Sequence, residues 1–295
     1  MRNVLFHFIF AMVSAVMLAA FSPASVAEAA VIRTPSPDGT VTYGSGKVTV
    51  DASHASDGYV MIRYSGGAGR VKVRITKGTQ YTYNLNTAGA YETFPLTEGN
   101  GTYTVSVFEQ VQGTSYSQAL NQAVSVTLSN DKSPFLYPNQ YCNFNAASSA
   151  VAMSDNLAAG LGTTLQKVEA IYNYAVNNLS YDYNKAATVQ SGYLPNNDTT
   201  LATRKGICFD YASLVAAMLR LQDIPSRVVV GYTGGAYHAW ISVYTEEQGW
   251  VDNIIYFNGK EWRYMDPTFA STGKGSASIN EYIKNPANYS AKYIY

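Results

Sequence analysis

The sequence feature that most constrains the fold is an apolar helical segment that begins at a cysteine and is followed at once by a strand. From Cys208 onward, leucine, valine, methionine and alanine recur with the period of a helix, and the pattern stops before Pro225. Residues 227–232 then form a run rich in β-branched residues, which is typical of a buried strand. This part of the chain therefore predicts both helix and strand.

The position of Cys208 within this helix suggests a reactive thiol. A cysteine in the first turn lies beside backbone N–H groups without helical partners and near the positive end of the helix dipole. Both favour the thiolate, and Arg204 and Lys205 add positive charge just upstream. Gly206 allows a tight turn into the helix. The alternative is a buried core cysteine, the usual environment of a free thiol. These residues alone leave both interpretations open.

The first 29 residues are typical of a secretory signal. Met1 and Arg2 precede an apolar run at 4–21, and small residues follow with cleavage expected after Ala27 or Ala29. The apolar run is long, so an uncleaved membrane anchor is the alternative. We expect a secreted or cell-surface protein. It would be attached to a membrane only if this segment stays uncleaved as an anchor.

Charge and cysteine content limit the partners and the redox chemistry. The chain has 20 basic and 20 acidic residues and no basic run, so we expect no nucleic-acid partner. Its two cysteines are Cys142 and Cys208. In an oxidising compartment the two could form a disulfide. Alternatively one is catalytic and the other incidental, and the sequence leaves this open.

Residues 30–130 are predicted to form an all-β domain. Short alternating runs are separated by glycine-containing turn signals, at 48–50, 59–64, 71–75, 81–85, 103–108 and 124–128. Their number and spacing predict an immunoglobulin-like sandwich. The domain has no cysteine and a single histidine, His54. We therefore expect a spacer or packing module, with a glycan- or wall-binding role as the alternative.

Residues 131–295 are predicted to form a second domain of the α+β class. Composition becomes alanine-rich after the proline-containing boundary, and a helix is predicted at 146–161. Thr163 and Gln166 have the spacing of a capping box at the start of the next helix. Strands follow the helices, so we expect helices packed on an antiparallel sheet.

Two further residues of this domain could act with the cysteine. A cysteine nucleophile needs a base, and the base needs an orienting group. His238 is the only histidine of the domain, and it shares a strand face with Trp240. Asp266 ends a later strand predicted at 261–266, where it shares a face with Trp262, and it would lie beside His238 if the two strands were neighbours. The alternatives are a structural histidine and a turn aspartate.

The same stretch resembles the core of the transglutaminase-like superfamily. The residues that carry the resemblance are GICFDYA at 206–212, IPSRVVVGY at 224–232, HAW at 238–240, GW at 249–250, Trp262 and DPT at 266–268. It covers roughly residues 163–269. The resemblance implies a papain-like thiol fold in which Cys208 is the nucleophile, His238 the base and Asp266 its orienting group. It also implies that the Cys208 backbone N–H and the side chain of Tyr181 stabilise an oxyanion.

The resemblance further implies acyl transfer or hydrolysis at amide bonds through a thioester. We expect an extracellular or cell-wall protein or peptide as substrate, and the choice between peptidase and cross-linking activity stays open. No loop has the carboxylate spacing of a calcium site, and histidines and cysteines are few, so we expect no metal and no cofactor. The alternative function is a catalytically inactive binding or scaffolding protein with the same fold.

Overall fold

The computed structural model describes residues 29–44, 46–251, 256–257, 262–263, 267–272 and 285–295. Its N-terminal part contains eight strands: β1 (Thr42–Tyr43), β2 (Val48–Asp51), β3 (Tyr59–Tyr64), β4 (Val71–Thr76), β5 (Gln80–Leu85), β6 (Tyr91–Pro95), β7 (Gly101–Gln112) and β8 (Ser115–Val126). They form two antiparallel sheets of four strands, in the orders β1-β2-β3-β6 and β5-β4-β7-β8. The predicted β-rich region is confirmed, and its immunoglobulin-like topology stays a prediction.

Alternation of side chains explains why these short runs are strands. Along β4, Val71, Val73 and Ile75 are buried while the residues between them are partly exposed. This period of two places one face of the sheet in the core and the other face toward solvent or a neighbouring element. The outward face of β4 and β5 becomes important for the cavity described below.

The C-terminal part mixes helices with an antiparallel sheet, as expected. Its helices are α1 (Ser149–Ala158), α2 (Thr164–Asn178), α3 (Tyr183–Thr188), α4 (Asn197–Thr203), α5 (Cys208–Leu221) and α6 (Pro267–Thr272). Its strands are β9 (Ser180–Tyr181), β10 (Lys205–Gly206), β11 (Ser226–Thr233), β12 (Ala236–Thr245), β13 (Gly249–Val251), β14 (Tyr256–Phe257), β15 (Trp262–Arg263) and β16 (Tyr289–Ile294). The main sheet has the order β13-β12-β11-β16.

Local sequence signals account for the ends of two of these helices. The capping box is confirmed, since Thr163 Oγ1 accepts from Gln166 N at 3.2 Å and Gln166 Oε1 accepts from Thr163 N at 3.1 Å. The helix predicted at 146–161 is shorter, because it begins at Ser149. Asn145 Oδ1 accepts from Ala147 N at 2.8 Å, and this side-chain turn competes with helix formation.

Helix α5 lies at the centre of the C-terminal domain. Every residue from Asp210 to Leu221 is buried, and the helix contacts α1, α2, β11 and β12. A helix that is apolar on nearly all sides is one surrounded by core. The buried guanidinium of Arg220 donates to the carbonyls of Tyr137, Ser226 and Tyr295, at 2.6 to 3.0 Å. It thereby joins the interdomain segment, the main sheet and the last strand.

An interdomain tyrosine cluster joins the two parts of the chain. It consists of Tyr81 and Tyr83 of β5 together with Tyr141, Tyr293 and Tyr295. Neighbouring ring centroids are 4.0 to 6.4 Å apart, within or close to the range of favourable aromatic pairs. The β-rich region is therefore packed against the C-terminal domain through β5, an edge strand of its second sheet.

Because the tyrosine cluster is buried, we expect the protein to lose stability at alkaline pH. Burial raises the pKa of Tyr83 well above its ordinary value of 10.0. An unfolded tyrosine loses its proton near pH 10 while the folded one keeps it, so this stabilisation is present below pH 10 and declines as the pH rises. Between pH 10 and pH 11 the free energy of unfolding should fall in both proteins. We expect this fall to be about 1 kcal/mol smaller in Tyr83→Phe than in the wild type.

Urea unfolding at pH 8, 10 and 11 measures this difference. The control is Tyr183→Phe, which removes the hydroxyl of a tyrosine that is 69% exposed instead of buried. Equal slopes for the wild type and Tyr83→Phe would contradict the prediction.

Candidate active site

A cavity of about 570 Å³ lies between the β-rich region and the C-terminal domain. Its volume is typical of sites for small molecules or peptide side chains. Cys208, His238 and Tyr181 all line it. The remaining lining residues come from both parts of the chain: Lys72, Thr82, Asn84, Asn86, Gln140, Tyr141, Ala186, Val189, Gln190, Ser191, Gly192, Tyr193, Leu194, Ile207, Phe209, Val230, Tyr237, Ala239, Tyr293 and Tyr295.

Cys208 is the first residue of α5 and is partly exposed to the cavity. The residue before it, Ile207, has an extended backbone and donates its N–H to Asp210 Oδ2 at 2.8 Å. The chain must turn closely around this carboxylate, because a Cβ on Gly206 would lie 2.6 Å from Asp210 Cβ. The predicted position of the thiol at a helix N-terminus is confirmed.

His238 lies on β12, opposite Gly231 of β11, and is 7% exposed. Its ring stacks on that of Trp240 with centroids 6.3 Å apart, as expected for two residues that share a strand face. Gly231 allows β16 to approach, because a Cβ there would lie 2.0 Å from Ser290 O. Since α5 packs on both β11 and β12, the start of the helix and the histidine reach the same cavity.

Tyr181 is held next to the residues that precede the cysteine. The two-residue strands β9 and β10 are parallel, with Tyr181 opposite Gly206. Asp182 N donates to Gly206 O at 2.9 Å and continues this pairing. The tyrosine therefore lies beside the entrance to α5 and faces the cavity, where its hydroxyl could act as the expected donor to an oxyanion.

The third expected member of the catalytic group, Asp266, lies outside the described residues. In the described part of the chain, β15 pairs with β14, and β12 pairs with β11 and, along Val243–Thr245, with β13. The placement of Asp266 beside His238 depended on these two strands being neighbours, and that pairing is not among the strand pairs that the structure describes. The role of Asp266 stays a prediction.

The two cysteines are not bonded to each other, so the disulfide that the sequence left open is not formed. Cys142 is completely buried, and its Sγ lies 3.8 Å from Ser213 O as a weak donor. Burial raises the pKa of the Cys142 thiol, which makes it a poor nucleophile. Among the described residues, no group of three or more His, Cys, Asp or Glu side chains is arranged to hold a metal ion.

A buried carboxylate two residues after the cysteine organises one wall of the cavity. Asp210 accepts from Lys185 Nζ at 2.7 Å and from Tyr193 OH at 2.5 Å, besides the Ile207 N–H. The Lys185 ammonium also lies 4.5 Å from the centroid of the Tyr193 ring. Asp210 thereby links α3, the wall loop (residues 189–194) and the start of α5.

The pKa shifts agree with this arrangement. Burial, followed by the hydrogen bond to Asp210, raises the pKa of Tyr193 to about 12, so its hydroxyl keeps the proton that it donates. Burial alone would lower the pKa of Lys185, but the hydrogen bond to Asp210 reverses this and the net shift is upward. In the sequence Asp210 is visible only as an acidic residue in the first turn, and no local pattern reveals its partners.

The cavity also has a wall that the sequence did not predict. The expected spacer module supplies Lys72, Thr82, Asn84 and Asn86 to the cavity, and Gln140 follows from the segment between the two parts. Lys72, Thr82 and Asn84 lie on the outward face of β4 and β5, and Asn86 follows the end of β5. An outward polar residue on an edge strand looks the same in a sequence whether it faces solvent or another domain.

Comparisons with known proteins bear on the C-terminal part of the chain. Residues 151–267 match the family model of the transglutaminase-like superfamily. A protein-glutamine gamma-glutamyltransferase of Pseudomonas aeruginosa is 38% identical over 69 residues, which are 19% of this chain and 10% of that protein. The uncharacterized protein YebA of Bacillus subtilis is 30% identical over 109 residues, 29% of this chain and 14% of YebA. The chain thus matches only about a tenth to a seventh of these relatives.

Solved structures give weak similarity. A protein of Cytophaga hutchinsonii described as a candidate cysteine protease is 16% identical with a TM-score of 0.39, over 80% of this chain and 83% of that one. Red sea bream transglutaminase is 10% identical with a TM-score of 0.28, over 77% and 53%. The family match coincides with the helix that begins at Cys208, the strand that carries His238 and the mixed α+β domain around them. The resemblance that the sequence showed to the transglutaminase-like superfamily is thus confirmed by a family-model match over residues 151–267.

Proposed function

We propose that this protein is an exported thiol enzyme that transfers or hydrolyses acyl groups at amide bonds of proteins or peptides. At the level of the family, a transglutaminase-like core supports a thiol-dependent acyl transferase or protease. The observation that carries the proposal for this chain is the meeting of Cys208 and His238 in one cavity. The thiol lies at a helix N-terminus there, and the imidazole is largely buried.

The proposed reaction begins with the Cys208 thiolate paired with a protonated His238. The thiolate attacks the carbonyl carbon of the amide, and the negative charge moves to the carbonyl oxygen. The Cys208 backbone N–H and the Tyr181 hydroxyl are the proposed donors to this oxygen. The C–N bond then breaks, the leaving amine takes the proton from His238, and a thioester remains on Cys208.

The second half of the reaction releases the acyl group. Water or an amine attacks the thioester carbonyl while His238 takes its proton. The C–S bond breaks, the thiolate is regenerated, and an acid or a new amide leaves the cavity. Asp266 is proposed to hold the imidazole in the required orientation. Whether water or an amine prevails decides between a hydrolase and a cross-linking enzyme.

Export is part of the proposal and rests on the signal-like residues 1–29, with an extracellular or cell-wall protein or peptide as the substrate. Across the residues that the structure describes, no helix is both long and apolar enough to cross a membrane. N-terminal sequencing of the protein from its native culture checks export. We expect the mature chain to begin after Ala27 or Ala29, and a retained Met1 would contradict cleavage.

The pH dependence of alkylation tests the thiol–imidazole pair. An ordinary thiol has a pKa of about 8.5 and reacts slowly with iodoacetamide below neutral pH. We expect Cys208 to react rapidly below pH 7 in the wild type and to lose this reactivity in His238→Ala, because the ion pair supplies the thiolate. Rates are measured between pH 5 and pH 9, with labelled sites identified by peptide mass.

Cys142 provides an internal control, since it is completely buried in the folded protein and should stay unlabelled. Reaction of Cys208 only near the pKa of an ordinary thiol, equal in the wild type and His238→Ala, would overturn the proposed enzyme. That result would favour the inactive binding or scaffolding protein.

A further inference from the structure

The part of the cavity wall that comes from the β-rich region and the segment after it carries one lysine and several carboxamides. Among the described residues that line the cavity there is no aspartate or glutamate, and Lys72 is the only lysine or arginine. Its ammonium donates to Asn84 Oδ1 at 3.2 Å and lies 5.6 Å from the centroid of the Tyr116 ring. An ammonium has three N–H donors, and Asn84 accepts one of them.

Acidic groups close to this wall are already engaged. Glu92 accepts from the backbone N–H groups of Asn86 and Thr87, from the Thr87 hydroxyl and from Gln140 Nε2. On the opposite wall the Asp210 carboxylate is paired with Lys185. These contacts leave the positive charge of Lys72 without a carboxylate partner in the described part of the chain.

The carboxamides hold this wall in a fixed shape. Gln140 Nε2 donates to Asn84 O at 2.7 Å, and Asn86 Nδ2 donates to the same carbonyl at 3.3 Å. Across the cavity the wall loop passes so close that a Cβ on Gly192 would lie 3.0 Å from Asn84 Nδ2. Asn84 is therefore held by contacts from outside the β-rich region as well as from within it, and its side chain in turn accepts from the Lys72 ammonium.

We propose that Lys72 and Asn84 form a subsite for a carboxylate group of the substrate. A carboxylate accepts hydrogen bonds from an ammonium and an amide, and in a partly enclosed cavity such charge-assisted bonds are stronger than in water. The subsite deepens the proposed function, on which it rests, because it selects amide substrates that carry a carboxylate near the reacting carbonyl. The carboxylate could belong to an acidic side chain or to the C-terminus of a peptide.

A pair of alkylating reagents measures the charge of the subsite without a known substrate. Iodoacetate and iodoacetamide have similar size and differ in charge, so the ratio of their rates at Cys208 reports the local potential. At pH 9 ordinary thiols are largely ionised and ordinary lysines are still charged, so the measurement does not require an activated cysteine. We expect Lys72→Met to lower the ratio of the iodoacetate rate to the iodoacetamide rate by about threefold or more at low salt.

Lys77→Met is the matched control because it removes the same charge from the same sheet. Lys77 Nζ donates to Glu98 O at 2.5 Å and lies over the Tyr103 ring, and Lys77 does not line the cavity. We expect its rate ratio to equal that of the wild type. A change of equal size in the two variants would overturn the subsite, since it would be an effect of net charge.

Protection of Cys208 by peptides then tests selection and distinguishes the two sources of the carboxylate. The probes are acetyl-Gln-Asp-amide, acetyl-Gln-Asn with a free C-terminus, and acetyl-Gln-Asn-amide as the neutral reference. In the wild type we expect at least one acidic probe to protect Cys208 at about threefold lower concentration than the neutral reference. In Lys72→Met the acidic and neutral probes should protect at equal concentrations, and in Lys72→Glu the neutral probe should protect at the lower concentration. The acidic probe with the larger advantage identifies the source.

Equal protection by all three peptides, or no protection by any of them, would overturn the proposed subsite. The proposed enzyme is tested separately, by the pH dependence of Cys208 alkylation in the wild type and in His238→Ala. Failure of the subsite can therefore be distinguished from failure of the proposed enzyme. Thermal unfolding of each lysine variant verifies that the fold is retained.

Discussion

Replacing Cys208 with alanine is expected to reduce turnover of peptide amides at least about a thousandfold, because no other group can form the thioester. Cys208→Ser should be similarly inactive, since a hydroxyl at this position keeps its proton at neutral pH and attacks poorly. The measurement is release of ammonia or amine from a panel of glutamine-containing peptides, or incorporation of a labelled amine into them. The partly exposed position of Cys208 makes a large effect on folding unexpected.

Cys142→Ala is the control for this experiment. Its thiol is completely buried and does not line the cavity, so the substitution should cost on the order of 1 kcal/mol of stability while leaving activity intact. Turnover that persists unchanged in Cys208→Ala would exclude the thioester mechanism. If Cys142→Ala were fully folded but inactive, the assignment of Cys208 as the nucleophile would likewise be contradicted.

The second large effect is expected at Asp210. Its carboxylate has no exposed surface and accepts from Lys185, Tyr193 and the Ile207 N–H. Asp210→Ala leaves these donors without their acceptor, and the N–H of the buried Ile207 has no ready access to water. We expect a loss of about 2–4 kcal/mol in the free energy of unfolding. We also expect weaker substrate binding, because the wall loop is no longer tied to α5.

Urea unfolding and steady-state kinetics measure the two effects. Asp131→Asn is the control for removing an aspartate, since Asp131 is exposed and forms a surface ion pair with its neighbour Lys132. The free energy of unfolding of this variant should equal that of the wild type. Tyr193→Phe removes one donor and keeps the ring, and it should raise KM more than it lowers kcat. If Asp210→Ala had the activity and the free energy of unfolding of the wild type, the positioning role of Asp210 would be contradicted.

The sequence determined those features whose causes are local. Periodicity and the proline that follows identified α5, and the spacing of Thr163 and Gln166 identified the cap of α2, because helix ends are fixed by contacts three to four residues apart. Residue alternation identified most strands of the β-rich region. The positions of Cys208 at a helix start and of His238 on a strand followed from the same local rules, and the family pattern linked the two residues.

Only the tertiary structure decided which surfaces meet. The outward residues Lys72 and Asn84 line the cavity because the tyrosine cluster packs β5 against the C-terminal domain, and no local pattern encodes that contact. Likewise, Asp210 binds partners 17 and 25 residues away along the chain, and Cys142 stays unbonded because it is enclosed in the core. Hydrogen bonds and packing between distant segments depend on how the elements are arranged in space, and periodicity carries information only about each element by itself.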